Sequence, residues 1–274
     1  MNPAALPYAL LLLLLEFSSG GQLVLFVADL RGAVTRGFVK MGAGLISVGV
    51  LLTLWAAVSI APAASVSGYV LSERFFGPTR VALAAFLLTA CCYAALLFLG
   101  KRLAALTAGA VANLAAVAAL VLIAALVERP TWSFAGTFAS LLFGGLALGG
   151  VTLAMSLGHW YLVTPRLPEQ PLNELTLALL AIVLVQSILL AINLAVPARG
   201  SAGLIALAPA QNPALWLRAG VGLALPFVLG FMAWQSSRSR GMMSATGLLY
   251  LATGAVLAGE ALACSLLFST AIPG

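Results

Sequence analysis

The sequence predicts an all-α fold, a polytopic membrane bundle of about eight transmembrane helices. Two compositional facts point there. Of 274 residues, 63% are hydrophobic and 7% are charged, against about 25% charged in soluble domains. Mean hydropathy is +1.14. A third observation fixes the kind of structure: apolar runs of membrane-spanning length, about 20 residues, recur from one end to the other. These runs are rich in Leu and Ala and lack the period-2 alternation of barrel strands. Helices satisfy their own backbone hydrogen bonds, which lipid requires.

The spans fall near 4–28, 38–60, 81–99, 103–127, 134–163, 174–196, 213–235 and 243–269. The first has no basic segment before it, is interrupted by Glu16 and outruns the apolar core of a signal peptide, so it reads as a retained span. Asp29 to Gly37 is a polar break, Pro62 to Arg80 mixes Pro, Gly and charge, and Gly100-Lys101-Arg102 is a tight basic turn. Pro130, Pro165, Pro168, Pro171, Pro197 and Pro213 mark the later breaks. No loop is long enough for a soluble domain and no repeat stands out, so residues 1–274 read as one integral membrane domain.

Cation placement sets the expected orientation. With the N-terminus outside, the inner segments carry Arg31, Arg36, Lys40, Lys101, Arg102, Arg166, Arg238 and Arg240, and the outer ones carry Arg74, Arg80, Arg129, Arg199 and Arg218: 8 against 5. Both termini are then expected outside the cell inner (plasma) membrane. The pI of about 9.7 reflects inner-face anchoring to the lipid bilayer. No basic stripe interleaved with aromatics points to nucleic acid.

Cys91 and Cys92 are adjacent and Cys264 lies in the last span, which gives neither a CxxC pair nor a disulfide framework. The lone histidine, His159, cannot provide the paired axial ligands of a b-type haem, and no residue set has zinc spacing. No metal or haem is expected to be held by this chain alone.

Chemistry therefore rests on polar groups inside the bilayer, where an ionisable side chain costs several kcal/mol and normally faces a bundle interior. Glu16 sits mid-span before Phe17-Ser18-Ser19-Gly20-Gly21, small residues that permit close helix approach or leave room for a ligand. Glu260 follows Gly259 near the middle of the last span, and Asn113 and Gln186 have similar depth. Converging, these groups form a network able to bind a quinone, pass protons or hold a cation; apart, they are interhelical hydrogen-bond glue. His159, Trp160 and Tyr161 end the fifth span near the inner interface, where an imidazole exchanges protons near neutral pH and aromatic rings flank a planar ligand or form an interface belt. Three consecutive helical residues spread over about 200°, so His159 and Tyr161 are the expected lining pair and Trp160 the lipid anchor. Arg218, at the outer end of the seventh span, is placed to pair with an anionic partner or lipid. Gly145-xxx-Gly149, the run around Gly42, Gly44 and Gly49, and Gly220-x-Gly222 suit helix contact, and Pro226 suits a kink.

Pro130-Thr131-Trp132, the following span through Ser133, Phe134, Thr137, Phe138 and Gly144 to Gly149, the stretch Leu217 to Pro226, and Gly259-Glu260 with Phe268 carry a resemblance. Together they resemble the dimethyl-sulfoxide-reductase membrane-anchor family, within the larger NrfD/polysulfide-reductase-like group. The similarity covers residues 128–157 and 214–268. It implies eight helices with the N-terminus outside, quinol binding in the membrane, and electron transfer to an iron–sulfur subunit that feeds a molybdenum enzyme. Two positions depart from the pattern. Trp55 to Pro62 lacks the histidine expected at the end of the second helix, and Cys264 stands where the last helix usually has arginine.

The resulting expectation is a membrane-anchor subunit of an electron-transport complex that binds menaquinone or ubiquinone and docks iron–sulfur or other redox subunits. Glu16 and His159 handle protons, Tyr161, Glu260 and Arg218 contact the quinone, and Trp160 flanks it from the lipid-facing side. The alternatives are a proton- or cation-coupled small-molecule transporter and a purely structural or assembly subunit.

Overall fold

Long apolar runs set the helices, and a few local signals set where they start and stop. In the computed structural model, described for residues 3–32, 34–66, 68–127, 134–164, 167–196 and 211–274, eight helices are long and apolar enough to cross a membrane. They are α1 Leu6–Leu30, α2 Arg36–Ser59, α3 Phe76–Phe98 and α4 Arg102–Val127. Then follow α5 Phe134–Val163, α6 Gln170–Ala195, α7 Pro213–Arg238 and α8 Met242–Thr270. The chain is an all-α, multi-pass membrane protein. Pro130, Thr131, Trp132, Ser133, Arg129, Pro165, Arg166, Pro197 and Arg199 lie outside the described residues.

The caps are chemical. The Thr35 hydroxyl accepts from the Phe38 N–H at 3.3 Å to start α2, and the Asn212 side chain accepts from the Ala214 N–H at 3.0 Å with Pro213 in the first turn of α7. Gly100 takes φ +73° in the turn between α3 and α4, a conformation that glycine adopts at little cost. At the far end of α2, Arg80 donates to the Ala57 and Ile60 carbonyls at 3.0 and 2.6 Å, satisfying groups that the helix leaves free.

Two boundaries differ from the sequence reading. Helix α3 starts at Phe76, preceded by a 3-10 turn at Glu73–Phe75, rather than at 81; the Gly-Pro-Thr-Arg segment is helical because proline is tolerated in a first turn. Asp29 belongs to α1 rather than to a loop, and it is buried. Its partners explain this. Tyr93 donates to Asp29 Oδ2 at 2.7 Å, and Arg102 forms an ion pair with its carboxylate and donates to its carbonyl.

Helices α1 and α5 form the centre of the bundle. Helix α1 packs on α2, α4, α5 and α8, while α5 also meets α6. The two run parallel, and their backbones touch: a Cβ at Gly20 would overlap the Gly145 carbonyl, and one at Gly149 would overlap Gly21. Glycines at this seam let dispersion contacts and close approach replace the hydrophobic drive that lipid cannot supply. Leu52, Trp55, Leu88, Leu114, Leu184 and Leu251 face outward, toward lipid. Between α2 and α3 lies a short antiparallel pair, Ser65–Val66 with Tyr69–Val70. The Tyr69 hydroxyl donates to the Val127 carbonyl and ties this pair to α4.

Helix α7 is not uniform. Pro213–Leu217 is α-helical, Arg218–Ala224 is a π-helix, and Leu225–Arg238 is α-helical again. Pro226 has no N–H and would crowd the carbonyl four residues before it. Widening the preceding turns relieves the conflict, and the Leu225 N–H bonds the Gly220 carbonyl, five residues back. The kink expected at Pro226 thus takes the form of a π segment.

Candidate functional site

Four helices contribute to one buried polar cluster. Arg218 comes from the first π turn of α7, Glu260 from α8, Gln186 from α6 and Glu16 from α1. Arg218 Nη1 donates to Glu260 Oε1 at 3.1 Å, with both side chains sealed from solvent at 0% and 1% exposure. Gln186 Nε2 donates to the same oxygen at 2.8 Å. Close approach of α7 and α8 makes this contact possible. A Cβ at Gly222 would lie 2.7 Å from the Gly259 Cα and 3.0 Å from Arg218 Nη1, so neither glycine leaves room for a side chain beside the guanidinium.

Glu16 joins through Gly144 of α5. A Cβ at Gly144 would sit 2.8 Å from Glu16 Oε1 and 2.8 Å from Glu260 Oε2. The two carboxylate oxygens therefore lie within twice that distance of each other, over a glycine that clears the space between them. Cys264 Sγ, 3.7 Å from Glu16 Oε2, completes the wall as a weak donor. On charge, the set holds two carboxylates and one guanidinium. An uncompensated charge in such an interior costs several kcal/mol, so the set is neutral when it holds one proton.

Polar atoms remain unsatisfied within the cluster. Arg218 Nε and Nη2, Gln186 Oε1 and Glu260 Oε2 are buried with no hydrogen-bond partner. Buried polar atoms are normally partnered, so these four stay available as donors and acceptors inside the bundle. Beside Glu16, a cavity of about 10 Å³ is lined by Thr137, Ser140, Cys264, Pro273 and Gly274, room for about one water. Asn193 donates to Ser140 at 3.2 Å and to the Pro273 carbonyl at 2.6 Å. Polar groups thus extend from Glu16 toward the α8 C-terminal end of the bundle.

Three of the six residues singled out from sequence, Glu16, Arg218 and Glu260, meet here. Arg218 differs from expectation in its partner: its anion is Glu260 inside the bundle, because the π turn carries the guanidinium inward. Gln186 joins, whereas Asn113 donates to the Gly109 carbonyl of its own helix at 2.8 Å. His159, Trp160 and Tyr161 lie near the opposite end of α5, fourteen and more residues beyond the α1/α5 contact at Gly145. His159 is exposed. Trp160, expected to face lipid, packs edge-on against Phe38 at 6.3 Å between ring centres and covers Gly37. Tyr161 is buried and donates to the Pro168 carbonyl, closing the turn into α6. His159 and Tyr161 therefore take different environments rather than lining one pocket.

Cys91 and Cys92 are exposed on α3, and Cys264 is buried. Among the described residues, no group of three or more His, Cys, Asp or Glu side chains is arranged to hold a metal ion. The chain matches no protein-family model, and no curated protein or solved structure is significantly similar to it.

Proposed function

We propose that this chain is the membrane-anchor subunit of an electron-transport complex in the cell inner membrane, binding quinone or quinol in its bundle and docking iron–sulfur or other redox subunits. In this reading both termini face outside. The observation that carries it is the buried Arg218–Glu260 ion pair with the Glu16 carboxylate beside Glu260 across Gly144, sealed within the bundle. A site that is neutral with one proton and charged without it supports exchange of the protons that accompany quinone chemistry. Glu16, Glu260, Arg218 and Gln186 handle the proton, and the polar groups around Asn193 provide its route toward the outer face.

One observation favours a second reading, a proton- or cation-coupled transporter. The π segment of α7 ends at Ala224, two residues before Pro226, and begins at Arg218 itself, and irregular backbone beside a buried charge is how transporters build movable sites.

Purification of the tagged chain from its native membranes separates the two. The first reading expects iron–sulfur or other redox subunits to co-purify, and Glu16→Gln to retain the assembled complex while lowering quinol-dependent electron transfer at least tenfold. A lone protein that dissipates a pH gradient in liposomes supports transport instead. Normal turnover in Glu16→Gln complexes that assemble poorly would assign the cluster to packing.

A further inference from the structure

A crevice away from the carboxylate cluster opens toward lipid. It holds about 610 Å³ and is bounded by α1, α4, α5 and α6, within the range of small-molecule sites, about 300–1,000 Å³. Its walls are apolar, among them Val24, Val117, Leu146, Leu175 and Ile182, and Val27, 51% exposed, marks its open side. Among the described lining residues, charge occurs only at one end, where Arg31 Nη1 meets Glu174 Oε2 at 3.0 Å, the side chains 57% and 34% exposed. Arg31 caps α1 and Glu174 lies in the first turns of α6, so this end is interfacial. From there the α1 wall runs back to Leu23 and the α6 wall on to Ile182, eight residues or about 12 Å of helix in each case. Leu142 and Phe138 of α5 carry the crevice on past the Gly20–Gly145 contact. It thus runs at least the depth of one leaflet, half of a hydrocarbon core about 30 Å thick, which is the reach of a lipid acyl chain entering from the interface.

We propose that this crevice binds a phospholipid whose zwitterionic headgroup carries a primary ammonium, a phosphatidylethanolamine, with its phosphate on Arg31, its ammonium on Glu174 and an acyl chain along the apolar walls. Charge complementarity selects the headgroup. Arg31 engages Glu174 through Nη1, and the exposed guanidinium keeps further N–H donors for a phosphate oxygen. Glu174 accepts from Arg31 at Oε2 and from Gln170 Nε2 at Oε1, the latter at 2.9 Å. Each carboxylate oxygen has more than one lone pair, so both still accept from a primary ammonium. An exposed ion pair is worth little by itself, so its partners turn to a headgroup at small cost. A short ethylene link joins the headgroup's phosphate and ammonium, which suits a guanidinium and a carboxylate lying side by side. The trimethylammonium of phosphatidylcholine has no N–H to donate to Glu174. An anionic headgroup would set its phosphate beside the Glu174 carboxylate, whereas pockets that hold anionic lipids carry cations in excess. This site belongs to the chain whether or not the carboxylate cluster serves a quinone.

The test uses the full chain, delipidated in a maltoside detergent, titrated with dioleoyl lipids that differ only in headgroup and read by native mass spectrometry. The wild type should retain phosphatidylethanolamine with a Kd at least threefold below those of phosphatidylcholine and phosphatidylglycerol. Ala178 lines the crevice and is exposed, so Ala178→Trp fills the space without entering the core. It should raise Kd for phosphatidylethanolamine at least tenfold, with the melting temperature unchanged. Glu174→Gln should weaken phosphatidylethanolamine to the level of phosphatidylcholine and tighten phosphatidylglycerol at least threefold, a reversal of preference that misfolding would not produce. Equal binding of the three headgroups by the wild type overturns the headgroup assignment, and a preference for phosphatidylglycerol overturns it in favour of an anionic lipid. A phosphatidylethanolamine preference that survives both variants overturns the crevice as its place.

Discussion

Glu16, Glu260 and Arg218 form a set with unequal charge, and the inequality predicts a non-additive response. Removing either carboxylate as a carboxamide leaves one carboxylate for one guanidinium, so Glu16→Gln and Glu260→Gln should each melt close to the wild type in detergent. Removing both leaves Arg218 buried with no anion, a loss of about 3–5 kcal/mol for an unpaired buried charge. The double variant should accumulate poorly or melt far lower, and adding Arg218→Met should recover most of the loss. A double variant as stable as the singles would show that water already solvates the guanidinium. Each of these residues was visible in the sequence, because a charged or amide side chain in an apolar run stands out. Their meeting was not, since composition along one span does not say which helices are neighbours. The converse holds for His159, Trp160 and Tyr161. Adjacent letters suggest a site, yet helical geometry sends one outward, one onto Phe38 and one inward to Pro168.

At the scale of elements, the α1/α5 seam depends on small residues at matching heights, and glycine position alone separates critical from tolerant sites. Gly20→Ala pushes a methyl onto the Gly145 backbone, which cannot yield as a flexible side chain would. Overpacking typically costs about 1–3 kcal/mol, occasionally more, so this variant should show a clear fall in melting temperature in detergent. Gly254→Ala in α8 meets nothing within 4 Å and should match or slightly exceed the wild type, since alanine favours helix by about 0.5–1 kcal/mol. Equal melting of the two variants would mean that α1 and α5 separate freely. The sequence exposed Gly145-xxx-Gly149 as a contact motif but not its partner, Gly20-Gly21, because the motif is the same whichever helix lies opposite. It also placed Asp29 in a loop. Polarity usually ends a span, but here Tyr93 and Arg102, more than sixty residues away, supply the partners that keep it helical.

For the whole molecule, eight crossings place the ends of the described chain on one side, and the cations decide which side. Arg218, counted with the outer cations, is buried in an ion pair, which removes it from any surface tally. Arg80 is held by the carbonyls at the end of α2. On the opposite face, Arg31 pairs with Glu174 and Arg240 with Glu169 at 3.0 and 3.4 Å, while Arg102 pairs with Asp29. Acidic residues contribute little to orientation, whereas lysine and arginine close to helix ends set it, so these pairings anchor that face without cancelling its effect. The turn carrying Lys101 and Arg102, the α1–α2 connection and the α7–α8 connection should therefore face the cytoplasm. An alkaline phosphatase fused after Gly274 should be active and a green fluorescent protein at the same point dark, with the pattern reversed for reporters inserted at Arg240. Replacing Arg36, Lys40, Lys101, Arg238 and Arg240 by Gln should give mixed topology, because it leaves three inner cations against four outer ones, abolishing the bias while leaving the buried network untouched. A bright fluorescent fusion after Gly274 in the wild type would invert the bundle. The Arg31–Glu174 pair would then face outside, and the polar path from Glu16 through Asn193 would open to the cytoplasm.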